Sequence, residues 1–326
     1  MSRRTIIARR ATGPNVVALG GGHGLAATLR ALRRVTDQIT AVVGVADDGG
    51  SSGRLREEFG VLPPGDLRMA LAALCGDDTW GRTWSDVIQH RFNGDGDLGG
   101  HSVGNMLITA LWEETHDIVI GLDWLGALLE AQGRVLPCST VPLEIVADVS
   151  GLVADAPEYM SVVRGQVAVA TTEGTVERIS LEPVNPPACP EAVAAVLAAD
   201  VVILGPGSWF TSVLPHLLIP ELADAIVTSR ARKILVMNLD PHRDLETAGV
   251  PAKAQLDMLR ELEPRLVLDA VIADPRHIGD TDELREGCLS AELILAGVGH
   301  THPARAGTHD PDRLAVAFGT VFESIR

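Results

Sequence analysis

Aromatic residues are scarce in this 326-residue chain, which has five Trp, five Phe and one Tyr. Single-stranded nucleic acid is held on stacked aromatic platforms, so this poverty argues against such a partner. A basic surplus is missing as well. With 43 acidic against 27 basic residues the formal charge is −16, the reverse of what neutralises a phosphate backbone, and no nucleic-acid partner is expected. A small anionic ligand stays compatible with that charge, because a local site can oppose the global one. The four cysteines, Cys75, Cys138, Cys189 and Cys288, lie far apart with no C-x-x-C pair and no metal-ligand spacing, which predicts buried, reduced thiols. No apolar run reaches the ~18–20 residues of a membrane span, so no membrane insertion is expected. Arg3, Arg4, Arg9 and Arg10 open the chain, but Val16–Leu19 is too short for an export segment and runs into a glycine turn. Residues 1–13 therefore read as a disordered basic tail on a cytoplasmic protein.

What the chain has in quantity is Ala, Val, Leu and Ile, the composition of parallel strands covered by helices. The expected fold is α/β: a Rossmann-like, doubly wound, mostly parallel sheet forming a single domain over 14–326, with a capping insertion over about 61–190. The strand Val16–Leu19 meets Gly20–Gly24 and then a helix with Leu25, Leu29 and Leu32 on its apolar face and Arg30, Arg33 and Arg34 on its wet face. A second strand, Ile39–Val45, ends on Asp47 and Asp48, as in a mononucleotide-binding half. From Pro63 to about Pro190 the rhythm changes. A helix is expected from Asp66 to Leu74, a Gly/Asp-rich loop over Asn93–Gly100, a helix from about Asn105, and strands at Glu144–Val149 and Gln166–Ala170. Regular alternation resumes with a helix near Glu191–Ala199 and strands at Val201–Leu204, Ile234–Met237 and Leu266–Ile272. These strands end on Gly205-Pro206-Gly207-Ser208, on Asn238 and Asp240, and on Asp274. In open α/β sheets such tips form one ligand crevice.

Several motifs carry chemistry. Gly22-His23-Gly24-Leu25-Ala26-Ala27 fits G-x-G-x-x-A between a strand and a helix, where glycines let the backbone approach a phosphate and the helix N-terminus favours its charge. A Walker A site is excluded, since no Lys-Ser/Thr follows. Asp47-Asp48-Gly49-Gly50-Ser51-Ser52-Gly53-Arg54 is a second dense turn, whose carboxylates suit ribose hydroxyls or a divalent cation and whose serines suit an anion. Gly205 and Gly207 with Ser208, Thr211 and Ser212 form a third. Gly100-His101-Ser102-Val103-Gly104 matches the nucleophile elbow G-x-S-x-G, but polar Asp95–Gly99 replaces the required buried strand, so Asp274 and His300 as triad partners are discounted. His101, Ser102 and Asn105 read better as a ligand-facing loop. Asn93-x-Asp95-x-Asp97 fails as an EF-hand because Leu98 takes the glycine position. His300-x-His302 near His309 lacks an acid or cysteine at ligand spacing, so no metal site is assigned.

Taken together, Gly20–Leu25, Ala46–Arg54, Pro63-Pro64-Gly65-Asp66-Leu67-Arg68, Gly100–Asn105 and Gly205–Ser212 resemble the YvcK-type gluconeogenesis factors, within the superfamily that includes 2-phospho-L-lactate transferase (CofD). The resemblance implies UDP-activated sugars such as UDP-N-acetylglucosamine as ligands and a role in cell shape and peptidoglycan supply on gluconeogenic carbon sources. It extends the ligand-binding set, Gly21 to Gly24, Asp47, Asp48, Ser51, Ser52, His101, Ser102, Asn105, Gly205, Gly207, Ser208, Thr211, Ser212 and Asn238, to Arg54, Asp66 and Arg68. Some relatives are substrates of Ser/Thr kinases, and a homo-oligomer is left open. Two positions depart from the family: His23 replaces a frequent Thr, and Asn238–Thr247 replaces its Asn-x-x-Thr-Gln-Pro-Gly-Glu-Thr stretch. The expected activity is binding without turnover, requiring no catalytic residue and no cofactor. The competing expectation is a phosphoryl or phospho-ester transferase in which Asp47 and Asp48 hold Mg²⁺.

Overall fold

The structure, a computed structural model, describes residues 13–239, 247 and 249–323. The basic tail up to Thr12 and the stretch 240–246, with the expected strand tip Asp240, lie outside the described residues. Ten strands are present in these: β1 Val16–Gly20, β2 Ile39–Val43, β3 Arg134–Pro137, β4 Glu144–Ser150, β5 Ser161–Arg164, β6 Thr175–Glu182, β7 Val201–Leu204, β8 Arg232–Val236, β9 Ala270–Ala273 and β10 Glu292–Leu295. Seven form one parallel sheet in the order β10-β9-β8-β7-β1-β2-β3, and β5-β4-β6 form a small antiparallel sheet. Strands β1 and β7 are apolar along their length because helices cover both faces of the sheet, which leaves their Val, Leu and Ile side chains without solvent. The chain winds outward in one direction from β1 and in the other from β7, so the crevice between these two strands is the topological switch point.

Six helices frame this crevice and the surface around it: α1 Gly22–Leu32, α2 Gly50–Phe59, α3 Gly65–Leu74, α4 Thr79–Gln89, α5 Val103–Thr115 and α6 Ile118–Leu128. In α1, Leu25, Leu29 and Leu32 are buried as their spacing predicts. Arg33 is not on the wet face. Its side chain is buried, donating to Gln132 Oε1 at 2.9 Å and Ala73 O at 3.4 Å and pairing with Asp77 at 3.2 Å, because α1 packs against α3 and the guanidinium reaches past it.

Three further differences have local causes. The stretch 61–190 is not set apart from the main sheet throughout, since its Arg134–Pro137 is the edge strand β3, paired with β2. Gln166–Ala170 is a short helix rather than a strand: Gly165 at φ +90 turns the chain out of β5, and only Val169 of the run is buried. The strand expected from Leu266 starts at Ala270, because just before it Asp269 uses its side chain, accepting from Lys233 N at 2.7 Å. All four cysteines are buried and free. Among the described residues, no single helix is long and apolar enough to cross a membrane.

Candidate functional site

Two turns meet at the switch point. Strand β1 ends on Gly20, and α1 starts at Gly22 with Gly21 as an extended N-cap that offers no capping side chain. Gly22 has φ +56, a left-handed conformation that a side chain would strain. Strand β7 runs into Gly205–Ser208. The turns are in contact: a Cβ on Gly24 would sit 2.1 Å from Pro206 O, so only glycine lets α1 come this near. Thr28 Oγ1 donates to Gly205 O at 3.4 Å. Asn238, beyond β8, clasps the second turn, accepting from Gly207 N at 3.0 Å and donating to Gly207 O at 2.8 Å.

Above this floor the cleft has two compartments. One, of about 370 Å³, is lined by Gly21, Gly22, Asp66, Thr211 and Ser212, and is covered by Gln166, Val167 and Thr171. The other, of about 860 Å³, is lined by Arg30, Asn238, His300, Arg305, Thr308 and His309. Both include His23, Gly24, Ala170, Gly207 and Ser208, so they join over the two turns. The roof is the short helix Gln166–Ala170. Asp48 holds it in place, accepting from Val167 N at 3.0 Å, and a Cβ on Gly165 would lie 2.2 Å from Asp48 Oδ2.

Asp66, in the first turn of α3, reaches α1. It accepts a hydrogen bond from Gly22 N–H, yet burial and then the negative charge of Asp47 push its carboxyl up to about 7, against the smaller pull of Arg68. Asp47 itself accepts from Gly49 N at 3.0 Å. A Cβ on Gly65 would lie 2.6 Å from Asp47 Oδ2 and 2.3 Å from Ser52 Oγ, so α3 packs tightly on the β2 turn. Behind the carboxylates runs a buried chain of bonds. Arg68 Nε donates to Asn105 Oδ1 at 2.9 Å, Asn105 Nδ2 donates to Ser51 Oγ at 3.1 Å and Ser52 Oγ at 3.4 Å, and Ser51 Oγ meets His101 Nδ1 at 3.0 Å. Ser51 Oγ accepts from Asn105 and, with one hydrogen and a second lone pair, can either donate to His101 Nδ1 or accept from it, according to the ring tautomer. Burial and the nearby Arg54 lower the His101 pKa, which favours the neutral ring.

Of the residues singled out from sequence, Gly21, Gly22, His23, Gly24, Asp66, Gly207, Ser208, Thr211, Ser212 and Asn238 line the two compartments. Others do not. Ser51, Ser52, Arg68, His101 and Asn105 bond one another beneath the cleft. Ser102 is fully buried and caps α5, accepting from Asn105 N at 3.2 Å, which leaves no free nucleophile in the G-x-S-x-G motif. Its imagined partners are engaged too, Asp274 with Arg276 at 2.5 Å and His300 with Asp310 at 3.1 Å. Arg54 donates to Gly99 O at 2.8 Å, holding the Gly/Asp-rich loop, and shares with Asp48 a separate groove of about 560 Å³. Arg30, Gln166, Arg305, Thr308 and His309 line the cleft although no sequence motif assigns them to it. His309 is buried, its Nε2 3.2 Å from Met237 O, and burial pulls its pKa down to about 4. Among the described residues no group of three or more His, Cys, Asp or Glu side chains forms a metal-ligand set.

The chain that carries this site has counterparts in known proteins over most of its length. The family described as 2-phospho-L-lactate transferase CofD matches residues 16–287. The chain belongs to the CofD family. Within it, a protein of Mycobacterium leprae named as a candidate gluconeogenesis factor is 50% identical over 310 residues, covering 94% of this chain and 86% of its own. A gluconeogenesis factor of Listeria monocytogenes is 40% identical, over 71% of this chain and 68% of its own. A crystal structure of a UPF0052-family protein from Bacillus halodurans superposes with a TM-score of 0.81 at 30% identity, covering 96% of this chain and 98% of that one. The CofD-family sheet and its capping layer are thus shared with an experimentally determined relative.

Proposed function

We propose that this CofD-family protein binds a nucleotide sugar of the UDP-N-acetylglucosamine type and acts as a gluconeogenesis factor, a cytoplasmic regulator serving cell shape and peptidoglycan supply on gluconeogenic carbon sources. The observation that carries the reading is the division of the cleft: two compartments of about 370 and 860 Å³ joined over the glycine turns. A diphosphate bridging two bulky groups suits that plan. The N-terminus of α1 and the Gly205–Ser208 turn would take the phosphates, Thr211 and Ser212 would add hydroxyls, and one compartment would hold each end. Arg30 and Arg305 supply positive charge in the larger compartment, a local exception in an acidic chain.

A second reading rests on a different observation, the neighbouring carboxylates Asp47 and Asp66. Asp66 takes the place of Asp48 beside Asp47, because Asp48 is engaged by the roof. Two carboxylates together with substrate phosphates are a fitting ligand set for Mg²⁺, and the raised pKa of Asp66 is what a cation would relieve. When bound, Mg²⁺ would neutralise phosphate charge, as a transferase of the 2-phospho-L-lactate kind needs. Calorimetric titration with UDP-N-acetylglucosamine, NAD and GDP, with and without Mg²⁺, and with recovery of the ligand afterwards, separates the two. Saturable binding with intact UDP-sugar supports the regulator. Breakdown of the ligand, or no UDP-sugar binding, favours the transferase.

A further inference from the structure

Helix α6 is unusual in so acidic a chain: its one charged residue, Asp123, is tied to Arg134 Nε and Nη2 at 2.9 and 2.7 Å. Its inner face, with Val119, Leu122 and Leu125, packs on α5 and β3. Its outer face carries Ile120, Trp124 and Leu128, which are 44%, 58% and 42% exposed. Trp80 of α4, 46% exposed, extends this surface, since its Nε1 donates to Leu128 O at 3.2 Å. Trp84 supports it from beneath, with ring centroids 5.6 Å apart. Two of only five tryptophans in the chain are therefore exposed on one face, in the residue type most enriched at the energetic centres of interfaces.

We infer that this face joins two copies of the chain through an antiparallel pairing of α6. The spacing is symmetric, with Ile120 and Leu128 each four residues from Trp124. A two-fold axis passing at Trp124 brings Ile120 of one copy onto Leu128 of the other and the reverse, as an isologous contact requires. Side chains at i, i+4 and i+8 form the ridge that interdigitates in the commonest class of helix packing. Charge does not oppose the pairing, because the face has no unpaired ionic group on α6. The four exposed side chains offer on the order of 400 Å² of apolar surface, roughly half of the ~800 Å² per partner in a standard interface, which leaves a polar rim of the usual proportion.

Sedimentation velocity on the full chain over a broad concentration series tests this, with circular dichroism confirming that each variant is folded. A reversible monomer–dimer equilibrium is expected, and Trp124→Glu should weaken it by about thirtyfold or more, as loss of a central aromatic does. Ile120→Lys and Leu128→Glu should each dissociate the dimer, while the double variant re-forms it, since position 120 faces position 128 of the other copy. A chain that is monomeric at every concentration overturns the inference, as does a dimer that survives Trp124→Glu. A double variant no more associated than the single ones refutes the antiparallel pairing.

Discussion

Replacing Asp66 with Asn should stabilise the protein above neutral pH, the opposite of what removing a paired carboxylate does. Burial and Asp47 raise the Asp66 carboxyl from 3.8 to about 7 in the fold. Between those values the native state keeps a proton that the unfolded chain has released, so stability falls as pH rises through this window and levels off above about 7. At 1.36 kcal/mol per tenfold change, the displacement amounts to about 4 kcal/mol in full. Asp66 borders an open cleft and its charge is partly screened there, so about 2 kcal/mol is the expected gain of Asp66→Asn at pH 8. About half of that gain should vanish by pH 5.5, where the native carboxyl is already protonated. Urea denaturation of both proteins at pH 5.5, 7 and 8, with unchanged slopes, reads the difference directly. A variant less stable than the parent at pH 8, or a difference independent of pH, would refute the reasoning, because Asp66 would then be a satisfied carboxylate. Mg²⁺ provides a second arm. If Asp47 and Asp66 hold the cation, it should stabilise the parent at pH 8 and have little effect on Asp66→Asn.

Three other positions probe the site. Gly24→Ala places a methyl group 2.1 Å from Pro206 O, so the two turns must separate by about 1 Å, at a cost of about 1–3 kcal/mol in denaturation and at least tenfold in UDP-sugar affinity. Gly96→Ala, with nothing within 4 Å of the added carbon, is the neutral control. Asp48→Asn keeps an acceptor for Val167 N–H and should leave calorimetric affinity unchanged, while Asp48→Ala loosens the roof and weakens binding several-fold, about 1 kcal/mol. Equal losses in both would instead make Asp48 a ligand or metal carboxylate. Asn105→Ala removes the centre of the Arg68–Asn105–Ser51 chain and should cost about 2–4 kcal/mol in thermal or urea unfolding, since it leaves buried donors unmatched. A loss under 1 kcal/mol would mean that water replaces the amide.

The parts of this molecule that could be read from sequence are those whose cause is local. Val16–Leu19 and Val201–Leu204 are strands because nothing in them tolerates water, and the glycines after them mark where the backbone must turn closely. Their juxtaposition then comes from topology, since in a doubly wound sheet the tips of neighbouring strands share one crevice. Gln166–Ala170 shows the opposite case. Its alternating valines read as a strand, but what decides its conformation is Gly165 before it and a carboxylate 119 residues away. Edge strand β3 escapes a sequence reading for a related reason, as four residues with Arg134 at one end and Pro137 at the other have too little pattern to separate from a loop.

Polar loop residues pose a harder problem, because the same side chains that bind a ligand also brace the loops that bind it. Ser51, His101 and Asn105 have the chemistry of a ligand shell and spend it on one another. Asp66, whose motif said no more than theirs, stands at the cleft wall with a perturbed carboxyl. What separates the two roles is satisfaction. A bracing group has its partners in the fold, whereas a binding group is held short of them, at a cost in stability that a ligand, proton or cation can relieve. Asp66 stands at the cleft wall with its carboxyl raised by burial and Asp47 despite the bond from Gly22 N–H, whereas Asp48 accepts from Val167 N–H and braces the roof.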